Sequence, residues 1–120
     1  MPMYVTSSGA AAGTDREARG DGWRSRRLIL ARDGRPVSVH ETRVDTGTVL
    51  ELCYRSHTET VYCVTGRAVL TDRATDMRHD ITPGSLYCAR IGDEHRLEIV
   101  EECLFVCVFD PPLVGQEEAD

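Results

Sequence analysis

The sequence predicts an all-β protein, a small antiparallel barrel of the jelly-roll type with little helix. From Trp23 onward, short runs rich in Val, Ile, Leu, Thr and Tyr alternate with turn signals at the spacing typical of a sandwich or barrel. No stretch has a strong helical periodicity of apolar residues. Because 120 residues bury only one core, we expect a single domain over residues 1–120.

Eight strands follow from these runs. In chain order they are predicted at Arg26–Ala31, Pro36–Val44, Val49–Arg55, Thr60–Thr65, Ala68–Asp72, Ser85–Ala89, His95–Val100 and Leu104–Asp110. Residues suited to tight turns separate them, and Asp33-Gly34 fits a two-residue hairpin turn. The run from Cys103 to Phe109 is apolar on both faces, which predicts a central strand.

The two ends of the chain have a different character. Residues 1–20 lack apolar periodicity, apart from a helical turn predicted over Thr14–Glu17. The tail, residues 111–120, begins with Pro111-Pro112, and a proline pair cannot continue a strand ladder. We therefore expect the chain to leave the barrel after Asp110 and to cover one of its openings as a lid.

The charge balance favours a small molecule as the partner. The net charge is -6 and the isoelectric point is about 5.2, whereas nucleic acids and anionic membranes attract clustered Lys and Arg. No apolar run is long enough to span a bilayer, and the first residues lack a basic and apolar leader. These observations predict a cytoplasmic protein that binds neither nucleic acid nor membrane.

The five cysteines form an odd set without a CxxC pair, which argues against a disulfide framework or a structural zinc site. Cys63, Cys103 and Cys107 lie among Val, Leu and Phe, where a thiol acts as a small apolar group. We expect these three to be reduced core residues. His40 and His79 are assigned to surface or structural roles.

Candidate ligands occur at Glu59, Tyr87 and His95. Glu59 precedes Gly66 by a short apolar strand, and a second segment runs from Pro83-Gly84 to His95. These spacings resemble the two motifs of the cupin superfamily, which implies a cupin barrel with its ligands pointing inward. The alternatives are a surface carboxylate at Glu59 and a core tyrosine at Tyr87.

The His-x-His pair of a typical metal cupin is absent, because the matching stretch reads Leu52-Cys53-Tyr54-Arg55. A carboxylate, a phenolate and an imidazole remain as ligands, and this mixture suits iron. His57 stands two residues before Glu59, so the two side chains share a face if the strand extends that far.

Several longer segments resemble the ectoine synthase family, among them Trp23 to Leu30, Tyr54 to Cys63, Asp93-Glu94-His95 and Val106 to Leu113. The resemblance implies that Glu59, Tyr87 and His95 hold iron(II) and that His57 and Asp93 support the site. From the chemistry of the reaction, Tyr54 and His57 are our candidates for the proton transfers. The substrate pocket it implies is formed by Trp23, Arg27, Thr42, Tyr54, Cys107, Phe109 and Glu117. It also implies a homodimer.

The activity implied is the closure of N4-acetyl-2,4-diaminobutanoate to ectoine with loss of water, a hydro-lyase reaction of compatible-solute biosynthesis. A Lewis-acidic metal polarises the amide carbonyl, and proton transfers accompany amine attack and dehydration. The planar fork of Arg27 suits the substrate carboxylate. Two alternatives remain open: a related cyclase or hydrolase acting on another acylated diamino acid, and a non-catalytic cupin that binds a small ligand.

Three positions depart from the family pattern. Cys53 stands where the family has His or another aromatic residue, and Arg67 is a cation where a carboxylate is common. Ala119 occupies the place of a histidine in the tail. We expect these changes to affect the shape of the pocket and the closure of the tail rather than the ligand set.

Overall fold

A computed structural model describes residues 3–117 and confirms the all-β prediction. The chain begins with helix α1 (Ser8–Ala11), and one 3-10 turn follows at Ala31–Asp33. The strands are β1 (Glu17–Gly20), β2 (Trp23–Ile29), β3 (Ser38–Val44), β4 (Val49–Leu52), β5 (Thr58–Asp72), β6 (Arg78–Ile81), β7 (Leu86–Ala89) and β8 (His95–Asp110).

One antiparallel sheet contains all eight strands, in the order β1-β2-β3-β8-β5-β6, with β4 paired to β8 and β7 paired to β5. The two longest strands, β5 and β8, pair from Thr58 opposite Asp110 to Asp72 opposite His95. β3 and β7 flank one half of this pair, and β4 and β6 flank the other half. The sheet is thus two connected halves that face one another around a cavity, as in a jelly roll.

The bend between the halves lies at Gly66. On β5 the buried side chains are Val61 and Cys63 before the bend and Ala68 and Leu70 after it, so the inward face changes from odd to even positions. The ladder with β8 is irregular between Cys63 and Ala68. Gly66 has φ +96°, and a Cβ there would lie 2.2 Å from a backbone carbonyl oxygen of β8. Only glycine fits at this point of the bend.

The structure corrects several strand predictions. The predicted strands Thr60–Thr65 and Ala68–Asp72 are one continuous strand, and so are His95–Val100 and Leu104–Asp110, because both β5 and β8 run through the bend. The hairpin turn predicted at Asp33-Gly34 is instead a 3-10 turn closed by Gly34 in the left-handed conformation.

The N-terminal segment is more ordered than its composition indicates. The helical turn predicted at Thr14–Glu17 is wrong: the helix lies at Ser8–Ala11, where the Ser7 hydroxyl accepts a hydrogen bond from the Ala10 amide. The chain then forms β1, which pairs with β2. The Arg16 guanidinium binds the Asp33 carboxylate at 2.7 Å and ties the segment to the barrel.

The core confirms the thiol prediction. Cys63, Cys103 and Cys107 are buried and free, and they pack in one cluster with Val61 and Phe105. β8 is central, as predicted, because it pairs with β3 on one side and β5 on the other. Within residues 3–117, no helix is long and apolar enough to cross a membrane.

Candidate active site

A cavity of about 200 Å³ lies between the two halves of the sheet. Residues of β2, β3, β4, β5, β7 and β8 form its wall, together with the segment after β4 and the tail. The structure brings nine of the predicted site residues to this wall: Trp23, Arg27, Thr42, Tyr54, Glu59, Tyr87, Cys107, Phe109 and Glu117.

Glu59 and His95 meet across the interior. His95 Nε2 lies 4.0 Å from Glu59 Oε1, and both side chains are almost fully buried. On the ladder they are far apart, because Glu59 pairs with Phe109 whereas His95 pairs with Asp72. In a flat sheet the segment from Glu59 to Asp72 spans about 40 Å. The bend at Gly66 is therefore what brings the two groups together.

Tyr87 completes this group. Its ring lies edge-on to the His95 ring, with 5.8 Å between centroids. Burial, and then the nearby Glu59 charge, hold the pKa of the Tyr87 phenol well above its usual value. Burial also raises the pKa of Glu59 to about 8. At neutral pH and without a cation, both oxygen groups therefore keep their protons.

The backbone fixes the orientation of His95. His95 Nδ1 donates to the Asp93 carbonyl oxygen at 3.0 Å, which leaves the Nε2 lone pair facing Glu59. The Asp93 carboxylate points elsewhere and accepts from the Arg90 amide at 2.8 Å. Asp93 therefore contacts His95 through its backbone oxygen and not through its carboxylate.

These donors fit a metal ion. Among residues 3–117, Glu59 Oε1 and His95 Nε2 are buried without a hydrogen-bond partner. Two donors that each lie about 2.1 Å from one ion are about 3 to 4.2 Å apart, which includes the observed 4.0 Å. In the same part of the chain, His, Cys, Asp and Glu form no group of three suited to a metal, and Tyr87 is the oxygen donor that lies next to this pair.

The aromatic ring of Phe109 lies between the predicted proton carriers. The Tyr54 ring contacts it edge-on at 4.9 Å between centroids, and Tyr54 lines the cavity. His57 immediately precedes β5 and packs against the same ring at 6.3 Å. Within the described residues, His57 does not contribute to the cavity wall. The geometry favours Tyr54 over His57 for contact with a ligand.

From the sequence, His40 was assigned to a surface or structural role. The structure shows that His40 is not on the surface. His40 is only 2% exposed and lines the cavity. Its Nε2 has no hydrogen-bond partner among the described residues. No motif marks the position, although its alternation with Ser38 and Thr42 on a strand places it on the inward face. His79 is exposed, as expected.

The buried Glu59 carboxyl gives the metal-free protein a specific pH dependence. The folded state keeps this proton up to about pH 8, whereas the unfolded chain loses it near 4.5, so the free energy of unfolding falls as pH rises between these values. Burial, and then Arg27, lower the pKa of His40 from 6.5 to about 3, so this side chain has the opposite effect below pH 6.5. We expect a net loss of a few kcal/mol between about pH 6.5 and 8.

Urea unfolding at several pH values, with chelator present, measures this dependence. Glu59→Gln removes the titrating group and should abolish the decrease above pH 6.5. A decrease that is equally steep in both proteins would show that Glu59 is not its source.

The tail packs against the barrel at one end of the cavity, and Glu117 lines the cavity. Leu113 is buried in the core, its amide donates to the Ser38 hydroxyl at 3.0 Å, and its carbonyl accepts from the Ala31 amide at 2.8 Å. Arg27 donates to the backbone oxygens of Gly115 and Glu117. The pocket wall therefore includes the chain's own tail. Ala119 lies outside the described residues.

Leu113→Ala should release this tail. Loss of the buried side chain removes about 2–5 kcal/mol of packing, more than one backbone hydrogen bond provides. The Ala31 amide, which donates to Leu113, should then exchange its hydrogen at least about tenfold faster. Val114→Ala, at the adjacent but exposed position, should leave this rate unchanged. Equal rates in both variants would mean that Leu113 does not anchor the tail.

Fold and site together define a small cupin-type β-barrel with a cavity between the two halves of its sheet. Residues 3–120 match the model of the ectoine synthase family. L-ectoine synthase of Nocardia farcinica (strain IFM 10152) is 40% identical over 118 residues, which are 98% of this chain and 90% of the relative. The chain therefore belongs to the ectoine synthase family and is an enzyme, a lyase.

Solved structures agree with this assignment. The crystal structure of ectoine synthase from P. lautus superimposes with a TM-score of 0.88 at 32% identity, covering 93% of this chain and 80% of that one. The polyketide cyclase RemF from Streptomyces resistomycificus gives a TM-score of 0.74 at 17% identity, over 99% of this chain and 89% of its own. At that identity, the second match supports the fold alone.

Proposed function

We propose that this enzyme closes N4-acetyl-2,4-diaminobutanoate to ectoine with loss of water, and that iron(II) is its metal. The observation that supports this most strongly is the unpaired buried pair in a chain of this family: Glu59 lies on the wall of the cavity, and His95 lies 4.0 Å behind it and lines a neighbouring cavity. The cavity is smaller than the roughly 300–1,000 Å³ of sites for drug-sized ligands, as suits a small metabolite.

The metal would be held by Glu59, Tyr87 and His95. Bound there, iron(II) supplies Lewis acidity that makes an amide carbonyl more electrophilic. The carboxylate and imidazole suit a divalent first-row metal, and the phenol adds a hard oxygen ligand. The protons that keep Glu59 and Tyr87 neutral have to leave when a cation binds, so metal affinity should increase with pH.

The other wall residues bind and orient the substrate. Phe109 and Trp23 provide apolar surface for the methylene chain. Arg27 supplies positive charge for the carboxylate at the end of the cavity closed by the tail. Folding the chain of the substrate inside a closed cavity brings amine and carbonyl into contact, which replaces a search among many conformers.

Ring closure forms a carbon–nitrogen bond and breaks the carbonyl carbon–oxygen bond, so two protons leave nitrogen and both end on the oxygen that departs as water. Tyr54 lines the cavity and has a hydroxyl group able to donate or accept, so we assign it to this transfer. His57 is separated from the cavity by Phe109, and we assign it to the support of that ring. Loss of this water converts the open-chain amide of the substrate into the ring of the product.

Direct assay tests the function. Purified protein loaded anaerobically with iron(II) should convert N4-acetyl-2,4-diaminobutanoate to the cyclic product, followed by proton NMR. Protein stripped with chelator should be inactive and should recover on addition of iron(II). An iron-loaded protein that binds this compound without forming product would instead support a ligand-binding cupin, and conversion of only another acylated diamino acid would support a different cyclase.

We also propose that the enzyme is a homodimer. Three apolar side chains are exposed on the outer face of β5 and β7, namely Tyr62, Val64 and Leu86. An exposed apolar group of this kind suits contact with a second copy. Light scattering should give the mass of a dimer, and the mass of a monomer at micromolar concentration would contradict this proposal.

A further inference from the structure

His40 belongs to a row of inward-facing positions that crosses the sheet. It pairs with Arg27 of β2 on one side and with Cys107 of β8 on the other, and Cys107 pairs in turn with Val61 of β5. Val61 pairs with Tyr87, so the row ends at a proposed metal ligand. All five side chains line the cavity. His40 thus lies between the cationic end of the cavity and its metal-binding end.

Packing fixes the His40 ring in this position. The ring lies against Phe109, with 4.9 Å between centroids and 33° between planes. Phe109 is the register partner of Glu59, a proposed metal ligand, so His40 packs against the residue paired with that ligand. The imidazole is therefore oriented by a neighbour that also borders the reacting centre.

The position of Nε2 indicates a ligand. Among residues 3–117 this nitrogen is buried and has no hydrogen-bond partner. Leaving a buried polar atom unpaired is unfavourable, and few such atoms occur in folded proteins. An apolar side chain would fill the same space without that cost. An unpaired polar atom on a side chain that lines a binding cavity is instead expected where a bound molecule supplies the partner.

We propose that His40 is a substrate-contacting residue whose Nε2 accepts a hydrogen bond from the α-amine of the substrate. This inference rests on the proposed function. It names His40, which no sequence motif identifies, as the residue that binds the amine end of the substrate. The assignment requires the tautomer with its proton on Nδ1, which presents a lone pair at Nε2.

The amine is favoured over the carboxylate for two reasons. The nucleophile must be an uncharged amine, and a neutral acceptor holds its N–H without favouring the ammonium form, unlike a carboxylate. The groups that face His40 are Arg27, Glu117, Cys107 and Phe109, and burial with the Arg27 charge keeps the imidazole neutral. A substrate carboxylate is better served by the charged donor, Arg27.

Two substitutions distinguish the effect of the Nε2 acceptor from the effect of ring packing. His40→Phe keeps the contact with Phe109 and removes the acceptor, whereas His40→Gln keeps an acceptor oxygen near the position of Nε2. We expect His40→Phe to lower kcat/KM about tenfold, mainly through kcat, because one hydrogen bond to the nucleophile is lost. His40→Gln should recover to within about threefold. His79→Gln, at an exposed histidine, is the matched control.

A non-reacting analogue identifies the atom contacted. 4-Acetamidobutanoate has the acetamide and carboxylate of the substrate but no α-amine. Its inhibition constant should be the same in the wild type, His40→Phe and His40→Gln. If His40→Phe weakens this inhibitor as much as it weakens the substrate, the contact is not with the amine and the inference is wrong. A kcat/KM unchanged by His40→Phe also overturns it.

A binding measurement that requires no turnover tests the His40 contact independently of the proposed reaction. In protein labelled with ¹⁵N-histidine, the His40 Nε2 resonance, assigned by its loss in His40→Gln, should move on addition of 2,4-diaminobutanoate, which cannot cyclise. It should not move with 4-acetamidobutanoate. If the wild type fails to form ectoine but this shift occurs, the proposed reaction is wrong and the amine contact stands. If ectoine forms and no shift occurs, the contact is wrong.

Discussion

Glu59→Gln should lower turnover by more than about 100-fold and remove most of the bound iron, since even supporting residues of metal sites contribute 10- to 100-fold. The substitution keeps the size of the side chain but replaces an anionic oxygen by a neutral amide. His95→Ala should have the same result, because the two groups converge at 4.0 Å. Iron content by elemental analysis and product formation by NMR measure the two effects.

The free energy of unfolding of metal-free Glu59→Gln should not fall, because a buried carboxyl is replaced by a group that never ionises. Loss of activity with unchanged stability separates a ligand role from a structural one. Glu101→Gln, an exposed carboxylate opposite Arg67, serves as the control and should retain both iron and activity. Full turnover in Glu59→Gln or His95→Ala would show that the metal site is assigned wrongly.

Gly66→Ala should be the most destabilising single-methyl change in the barrel. The new Cβ would lie 2.2 Å from the Glu102 backbone oxygen and 2.7 Å from Cys103 Cα, and the φ of +96° is unfavourable for alanine. Strain at such a φ costs about 1–3 kcal/mol and overpacking costs about 1–3 more. We expect a loss of about 3–5 kcal/mol by urea unfolding, together with loss of iron.

Gly34→Ala is the matched control for this change. Gly34 also has positive φ, at +73°, but a Cβ there meets nothing within 4 Å. This variant carries the conformational cost alone, about 1 kcal/mol. Equal destabilisation of the two variants would mean that the close approach at Gly66 does not matter.

The resemblance to the ectoine synthase family, carried over position by position, predicted half of the cavity wall, nine of its eighteen residues. Tyr87, Cys107 and Phe109 stand at alternating or motif positions that point inward, and the structure places them there. Glu59 and His95 were expected to meet because of the motif they resemble. That they do so from opposite ends of one ladder follows from the bend at Gly66.

Other features depend on information that a single sequence does not display. Strand β6 was missed because Arg78 to Asp80 are exposed polar residues and only Ile81 is buried. The continuity of β5 was missed because a glycine that bends a strand and a glycine that ends one look alike. The place of His40 on the cavity wall was not predicted, because it depends on the register of His40 with Arg27 and Cys107, and register is a property of the assembled sheet.

Because β5 and β8 are long, a small change in the angle of the bend at Gly66 produces a large displacement at their ends. Glu59 lies about 20 Å along β5 from this pivot, so a change of only about 3° in the angle moves it by about 1 Å relative to His95. Displacements of that size can cost about 100-fold in rate. Variation in the β5–β8 bend, remote from any substrate atom, should therefore tune activity as strongly as variation in the pocket itself.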